Sequence, residues 1–170
     1  MREIIFGVLF LMSFKKIGIQ PIGFVKRASP YEDEKDRSLI SKIVLQKDLS
    51  KALNGIEDFS HIYIIFWMEK ISNKKKSAFQ AQDYMFPPKD KEPSVGVFAT
   101  RAPLRPNPIG LTLVELIKRE KNVLRVKGLD AYDGTPVLDI KPYPDWERGH
   151  WIVVENFRCP KWLMDIINSE

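Results

Sequence analysis

The sequence predicts a single, mainly β domain, and three observations lead to this prediction. Short runs of alternating apolar and polar residues recur, as in strands with one buried face, most clearly at 17–26, 111–120 and 123–129. Residues 62–68 are a continuous run of β-branched and aromatic residues, which predicts a central strand buried on both faces. No glycine-rich turn of a βαβ nucleotide-binding unit occurs, so a doubly wound α/β fold is not expected.

Composition narrows the class of protein further. A chain of 170 residues with 44% hydrophobic and 29% charged residues is typical of one soluble globular domain. The net charge of +5 favours an anionic partner. The single cysteine, Cys159, excludes an internal disulfide and a cysteine-cluster zinc site, and it fits a cytoplasmic protein. We expect no metal, since the chain has only two histidines.

The N-terminal residues 1–16 are predicted to be an extension to the domain formed by residues 17–170. The uncharged run over residues 4–12 is too short to span a bilayer, so no membrane partner is expected. A secretory signal is disfavoured because no small-residue cleavage site follows the run. Three interpretations stay open: an extra strand, a subunit-contact segment, or a natural start at Met12.

Residues 95–116 are predicted to form a strand over 95–100, a stiff loop, and a second strand from 111. The loop carries three prolines and two arginines: Pro103, Pro106, Pro108, Arg101 and Arg105. Each proline fixes its own φ and pushes the preceding residue toward extended geometry. Pre-ordered guanidinium groups bind a carboxylate or another anion at a lower entropy cost. The alternative is a rigid surface loop whose arginines are only solvated.

The remaining elements are predicted from local patterns. Residues 40–46 form a short strand, residues 48–53 one helical turn, and residues 121–122 join two strands in a hairpin. Asp133 and Gly134 mark a tight turn before a strand over residues 137–140. Proline-initiated helical spacing predicts a short C-terminal helix over residues 160–167.

A long polar, lysine-rich insertion occupies residues 69–94, with its densest charge at Lys74, Lys75 and Lys76. A loop of this length inside a compact domain is usually functional or mobile. The insertion is either a solvated loop tip or a lobe that contacts nucleic-acid phosphates.

Two long segments resemble the signature of a known family: VGVFATRAPLRPNPIGLTLVEL, residues 95–116, and GLDAYDGTPVLDIKPY, residues 128–143. Two shorter segments precede them in the family's order: IGFVKRASPY, residues 22–31, and GIEDFSHIYIIFWM, residues 55–68. Together they are similar to the TrmO/TsaA-like family of S-adenosylmethionine (SAM)-dependent tRNA methyltransferases. The resemblance implies a TsaA-like β-barrel, to which the local patterns above add a long polar insertion and a short C-terminal helix.

The resemblance also implies an activity. The chain would transfer a methyl group from SAM to N6 of (threonylcarbamoyl-)adenosine next to the anticodon of tRNA, as a cytoplasmic homodimer. Two other functions stay open: methylation of a small molecule, and a non-catalytic module that binds SAM or RNA.

The resemblance assigns contacts with SAM to eleven residues: Ser29, Pro30, Tyr31, Ser60, His61, Arg101, Leu111, Asp130, Ala131, Tyr132 and Asp133. Five others match the signature without a defined role: Arg105, Asn107, Asp139, Lys141 and Tyr143. Arginine suits the carboxylate of SAM, aspartate its ribose diol or ammonium group, and aromatic rings its adenine or sulfonium. No catalytic base is evident. A lone histidine beside a strand is usually structural, and the alternative for each aspartate is a turn residue that caps its own backbone.

Overall fold

The computed structural model describes residues 17–27, 38–68, 85–86, 95–144 and 158. The strands in these residues are β1 Gly23–Lys26, β2 Ile40–Leu45, β3 His61–Trp67, β4 Met85–Phe86, β5 Val95–Gly96, β6 Ile109–Glu120, β7 Val123–Lys127 and β8 Pro136–Pro142. Short 3-10 helices at Lys47–Leu53, Ile56–Asp58 and Val97–Ala99 lie in the connections.

Six strands close into a barrel in the order β1, β2, β7, β6, β3, β8, and β8 pairs with β1. All of these pairs are antiparallel. Closure gives each of the six strands two hydrogen-bonded neighbours, which removes exposed strand edges. β4 and β5 form a separate two-stranded sheet. The prediction of a mainly β protein built on a β-barrel is therefore confirmed.

The interior of the barrel is filled by alternate residues of each strand. In β3, Ile62 and Ile64 are fully buried and Phe66 is 5% exposed. Val114 of β6 packs into the same core. The outward residues of β3 are only half-buried, so this strand is fully buried on one face and not, as the sequence predicts, on both faces.

The strand predicted over residues 95–100 is wrong, because β5 ends at Gly96 and a 3-10 helix follows. Thr100 closes this helix: its N–H and its hydroxyl both donate to the Val97 carbonyl, at 3.0 and 2.9 Å. A threonine hydroxyl that competes for backbone carbonyls favours a turn over a strand. The strand predicted over residues 17–26 is also shorter, since it begins at Gly23, after Pro21, which has no N–H to donate to a strand ladder.

The predicted hairpin and tight turn are confirmed. Lys121 adopts a left-handed φ of 58° between β6 and β7, and the Asn122 side-chain amide donates to the Leu45 carbonyl at 2.6 Å. Gly134 has a φ of 78°, which favours glycine, and its N–H donates to the Val25 carbonyl at 2.9 Å. This turn thereby fixes the loop before β8 against the end of β1.

Several predictions fall outside the described residues. They concern the N-terminal extension, the C-terminal helix, the SAM contacts Ser29, Pro30 and Tyr31, and the insertion apart from Met85–Phe86.

Candidate functional site

A cavity of about 610 Å³ opens at the end of the barrel where β3 ends and β6 begins. This volume is in the range of pockets that hold small molecules and cofactors. Its walls come from three parts of the chain that are distant in sequence: the end of β3, the proline-rich loop with the start of β6, and the turn before β8. The lining includes Phe66, Met68, Thr100, Arg101, Pro103, Arg105, Ile109, Gly110, Leu111, Thr112, Asp130, Ala131, Tyr132, Asp133, Gly134 and Thr135.

The floor of the pocket depends on a close contact between two strands. Gly110 of β6 faces Phe66 of β3 in register, and the Phe66 ring lies over the glycine. A Cβ atom added at Gly110 would lie 2.3 Å from this ring. Only glycine at position 110 therefore leaves room for the buried Phe66 ring.

The two arginines of the proline-rich loop have different surroundings. Nη1 of Arg105 donates to the carbonyls of Val97, Thr100 and Ala102 at 3.2, 3.0 and 3.3 Å. The Arg105 guanidinium also lies 5.6 Å from the centre of the Phe98 ring, close enough for a cation–π contact. Arg105 therefore lines the pocket but mainly holds the loop in shape.

Arg101, by contrast, is exposed and lines the pocket. Within the part of the chain that the structure describes, its side chain has no hydrogen bond or ion pair. Its guanidinium can therefore bind an anionic ligand group without first giving up a partner from these residues, and a bidentate pair with a carboxylate is the geometry it favours.

The opposite wall is the segment before β8, which is held from two sides. From inside the barrel, the hydroxyl of Thr112 donates a hydrogen bond to Oδ1 of Asp130. From the residue after β1, the buried Arg27, the guanidinium donates to the Ala131 carbonyl at 2.8 Å and the backbone N–H donates to Oδ1 of Asp133 at 2.8 Å. The two carboxylates on this wall thus have fixed positions.

Ser60 and His61 lie at the other end of β3 from the pocket-lining Phe66. The Ser60 hydroxyl accepts a hydrogen bond from the Arg158 N–H at 2.8 Å and lies 3.0 Å from Nδ1 of His61. Burial lowers the pKa of His61, and the neighbouring Glu115 partly offsets this. Within one chain these two predicted contacts do not meet the predicted residues that line the pocket.

The remaining signature residues lie outside the pocket lining. Asp139 and Lys141 form an exposed ion pair on β8, with 2.8 Å between Oδ2 and Nζ. Tyr143 is 1% exposed and makes an edge-on ring contact with Tyr63, 5.8 Å between centroids. Asn107 is exposed, and its backbone carbonyl accepts a hydrogen bond from Ile109.

Residues that the sequence analysis did not single out also shape the pocket: Arg27, Thr112, Gly110 and Phe66. Thr112 carried a readable signal, because it is a polar residue in the inward series of β6, between Gly110 and Val114. Nothing local distinguishes Arg27, whose partners lie more than 100 positions further along the chain.

Two kinds of feature are missing from the described part of the chain. No helix there is long and apolar enough to cross a membrane. No group of three or more His, Cys, Asp or Glu side chains among the same residues is arranged to hold a metal ion.

Comparison with known proteins identifies the class of this barrel. Residues 24–146 match the family model of the tRNA-methyltransferase O N-terminal domain, TrmO_N. This match covers well over half of the chain, and it contains every described wall of the pocket. The chain therefore belongs to the TrmO family.

Particular relatives agree with this assignment. A probable S-adenosyl-L-methionine-binding protein of Methanothermobacter thermautotrophicus is 40% identical over 139 residues, which is 78% of this chain and 93% of that protein. A tRNA (adenine(37)-N6)-methyltransferase of Mus musculus is 46% identical over 106 residues, 62% of this chain and 23% of that protein. The crystal structure of TrmO from Pseudomonas aeruginosa superposes with a TM-score of 0.57 at 29% identity, over 85% of this chain. This chain spans 62% of the length of that solved structure.

Proposed function

We propose that this protein is a SAM-dependent methyltransferase that methylates N6 of adenosine in tRNA, next to the anticodon. The observation that carries the proposal is the pocket: the exposed Arg101 guanidinium and the two fixed carboxylates of Asp130 and Asp133 line the same cavity. SAM has one carboxylate, one ammonium group and a ribose diol, and these residues offer a suitable partner for each. Relatives named for SAM binding and for tRNA methylation support the assignment.

SAM supplies an electrophilic methyl group, so the chain has mainly to bind and orient both reactants. Arg101 is assigned to the SAM carboxylate, and Asp130 and Asp133 to the ammonium group or the ribose diol. Leu111, Ala131 and Tyr132 supply apolar and aromatic surface for the adenine and sulfonium groups. Ser29, Pro30 and Tyr31 belong to the same proposal through the family signature. A tRNA substrate implies a cytoplasmic protein.

The proposal includes a homodimer in which Ser60 and His61 complete the pocket of the partner subunit. The outward faces of β3 and β6 form one apolar surface, where Tyr63 pairs with Leu113 and Ile65 pairs with Leu111. Leu111 is 55% exposed and lies on the pocket rim. A two-fold axis through the middle of this surface would place the His61 end of one copy over the pocket end of the other.

The oligomeric state tests this part directly. We expect sedimentation of the wild-type protein to give a dimer at micromolar concentration. Ile65→Lys, in the middle of the surface, should give a monomer. Ile40→Lys, at an exposed outward position of β2, should leave the dimer intact. A wild-type protein that stays monomeric would rule out the shared pocket.

Calorimetry tests the cofactor assignment. We expect saturable binding of SAM and of S-adenosylhomocysteine. Arg101→Ala should weaken binding by about 1.5–3 kcal/mol if a charged hydrogen bond is lost. Arg101→Lys should lose less, because it keeps the charge but not the bidentate geometry. If neither ligand binds the wild-type protein, the proposed function is wrong.

Mass spectrometry of nucleosides tests the substrate. Purified protein, SAM and tRNA from cells lacking the protein should yield an N6-methylated adenosine next to the anticodon. The same nucleoside should be missing from tRNA of those cells. SAM binding without any tRNA product would favour the two other functions, methylation of a small molecule or binding without catalysis.

A further inference from the structure

Four cations lie side by side on the outer surface of the barrel, one on each of four neighbouring strands. Lys26 of β1 faces Lys42 of β2 in register, and Lys42 in turn faces Arg125 of β7. Arg125 then faces Lys118 of β6. We call these four residues the cation row. Neighbouring strands are about 4.8 Å apart, so the row extends across roughly 14 Å of surface.

Like charges that face each other across strands destabilise a sheet, so this arrangement requires an explanation. Only the ends of the row have ion pairs among the described residues: Lys26 with Asp133 at 3.3 Å, and Lys118 with Glu120 at 2.9 Å. Lys42 and Arg125, in the middle, have none there. Nε of Arg125 is shielded from solvent and has no hydrogen-bond partner in the same part of the chain.

One carboxylate lies beside the middle of the row. The pKa of Glu120 is lowered, first by its hydrogen bond and ion pair with Lys118 and then by the charges of Arg125 and Lys42. On the other side of the row, Lys127 faces Glu115 in register. With Asp133 at the Lys26 end, three carboxylates of the described residues face five cations, the row and Lys127, so the row keeps a net positive charge.

An apolar row runs parallel to the cation row on the same outer face, two residues away along each strand. Phe24 faces Val44, and Val44 faces Val123. Phe24 is 50% exposed and Val44 is 37% exposed. A line of cations beside an exposed aromatic ring is typical of surfaces that bind unpaired nucleic acid, where the cations bind phosphates and the ring stacks on a base.

The cation row begins at the pocket. Asp133, the partner of Lys26, lines the cavity, and Thr135, also in the lining, accepts a backbone hydrogen bond from Val25 at 2.9 Å. A strand of RNA that follows the row toward β1 would therefore arrive beside the pocket rim.

We propose that the cation row binds the sugar–phosphate backbone of the RNA substrate and that Phe24 stacks on one of its unpaired bases. The inference rests on the proposed function, because it takes RNA to be the substrate of the pocket. Charge favours RNA over a protein partner, since the row is a continuous line of positive charge whose central cations have no ion pair with the other described residues.

The test compares two variants that remove the same number of charges. The double variant Lys42→Ala with Arg125→Ala removes the two central cations of the row. Lys47→Ala with Lys51→Ala removes two exposed cations from the first 3-10 helix, away from the row. Affinity for a fluorescent tRNA transcript, and for its isolated anticodon stem-loop, is measured by anisotropy over a series of salt concentrations. SAM affinity is measured by calorimetry on the same samples.

We expect the row variant to bind RNA about tenfold more weakly at low salt. Because it neutralises two fewer phosphates, the slope of log affinity against log salt should fall by about 1.4–1.8. The control variant should keep most of the wild-type slope, and both variants should bind SAM as the wild type does. Phe24→Ala should weaken RNA binding without changing the slope. Phe24→Tyr keeps an aromatic ring and should bind RNA as the wild type does.

Each outcome decides between the hypotheses. If the row variant and the control lose the same affinity and slope, only net charge matters and the cation row is not a binding site. If the row variant keeps its RNA affinity while the wild type methylates tRNA, the row is excluded and the proposed function stands. If the wild type binds SAM but neither binds nor methylates RNA, both the row and the tRNA substrate are wrong.

Discussion

The two ends of β3 differ in what surrounds them, although the sequence motifs assign both to one site. At the far end, Phe66 forms the floor of an open pocket beside Arg101. At the end where β3 begins, Ser60 is 8% exposed and its hydroxyl accepts a hydrogen bond from the backbone N–H of Arg158. Six residue steps of about 3.4 Å separate His61 from Trp67, roughly 20 Å in all. A motif can therefore assign residues to one site although they lie at opposite ends of a strand within one chain.

The largest expected effect is on methyl-transfer activity, when the two ends of β3 are mutated in separate copies of the chain. Arg101→Ala and His61→Ala should each abolish most methyl transfer alone. In a mixture of the two that has exchanged subunits, about half of the dimers are heterodimers, and each contains one intact pocket. Activity should then return to about a quarter of the wild-type value.

The control is a mixture of Arg101→Ala with Asp130→Ala, whose defects lie in the same pocket of one chain. No activity should return there. If Arg101→Ala and His61→Ala also fail to complement, the two ends of β3 do not serve one site.

Gly110→Ala should have the next largest effect, at the pocket end only. The new Cβ would meet the Phe66 ring, which is 5% exposed and packs in the barrel core. We expect urea denaturation to show a loss of about 2–3 kcal/mol in the free energy of unfolding, together with weaker SAM binding. Gly96→Ala, where an added Cβ meets nothing within 4 Å, is the matched control. Equal stabilities of the two variants would mean that the floor is not tightly packed.

Thr112→Val should lower SAM affinity more than it lowers the stability of the protein. Valine keeps the shape of threonine but cannot donate to Asp130, so the carboxylate is held less firmly. SAM affinity should fall by about 1–1.5 kcal/mol. Ser41→Ala, which removes a buried hydroxyl that has no hydrogen-bond partner among the described residues, is the control and should leave SAM affinity unchanged. An unchanged affinity in Thr112→Val would mean that Thr112 does not position Asp130 for SAM.

The smallest expected effect is on the pH dependence of stability, and it comes from His61. Burial lowers the pKa of His61 below its ordinary value of 6.5, so the unfolded chain takes up a proton first as the pH falls. Its contribution to stability is therefore complete above pH 6.5 and is lost as the pH falls toward the folded-state pKa. His61→Gln should show a shallower loss of stability than the wild type as the pH falls below 6.5. Parallel pH profiles would show that His61 titrates alike in the folded and unfolded chains.

Local patterns predicted most of the barrel but not every boundary. The alternation predicted in β6 and β7 follows directly from side chains that point to opposite faces of a strand, and the structure confirms it. Residues 95–100 have the same alternation and still leave the strand after Gly96. Their conformation is decided by hydrogen bonds from Thr100 and Arg105 to the Val97 carbonyl, which periodicity does not reveal.

The candidate site was predictable to a similar degree. Arg101, Leu111 and the segment of residues 130–133 line the pocket as the family signature implies. Arg105 and Arg101 were equivalent in the sequence, as two arginines in one rigid loop. Which of them can bind a ligand depends on three backbone carbonyls that lie within reach of only one.

By itself, the sequence determined the strands with one buried face, the stiff proline loop, the tight turn at Asp133 and Gly134, and the family. These follow from dihedral preferences and from the alternation of neighbouring residues, which are local properties. Only the tertiary structure decided that Arg27 supports the pocket wall, that Ser60 and His61 lie far from it, and that four cations form a row. Each of these depends on strand registers set by closure of the barrel, which brings together residues as distant as Lys26 and Asp133.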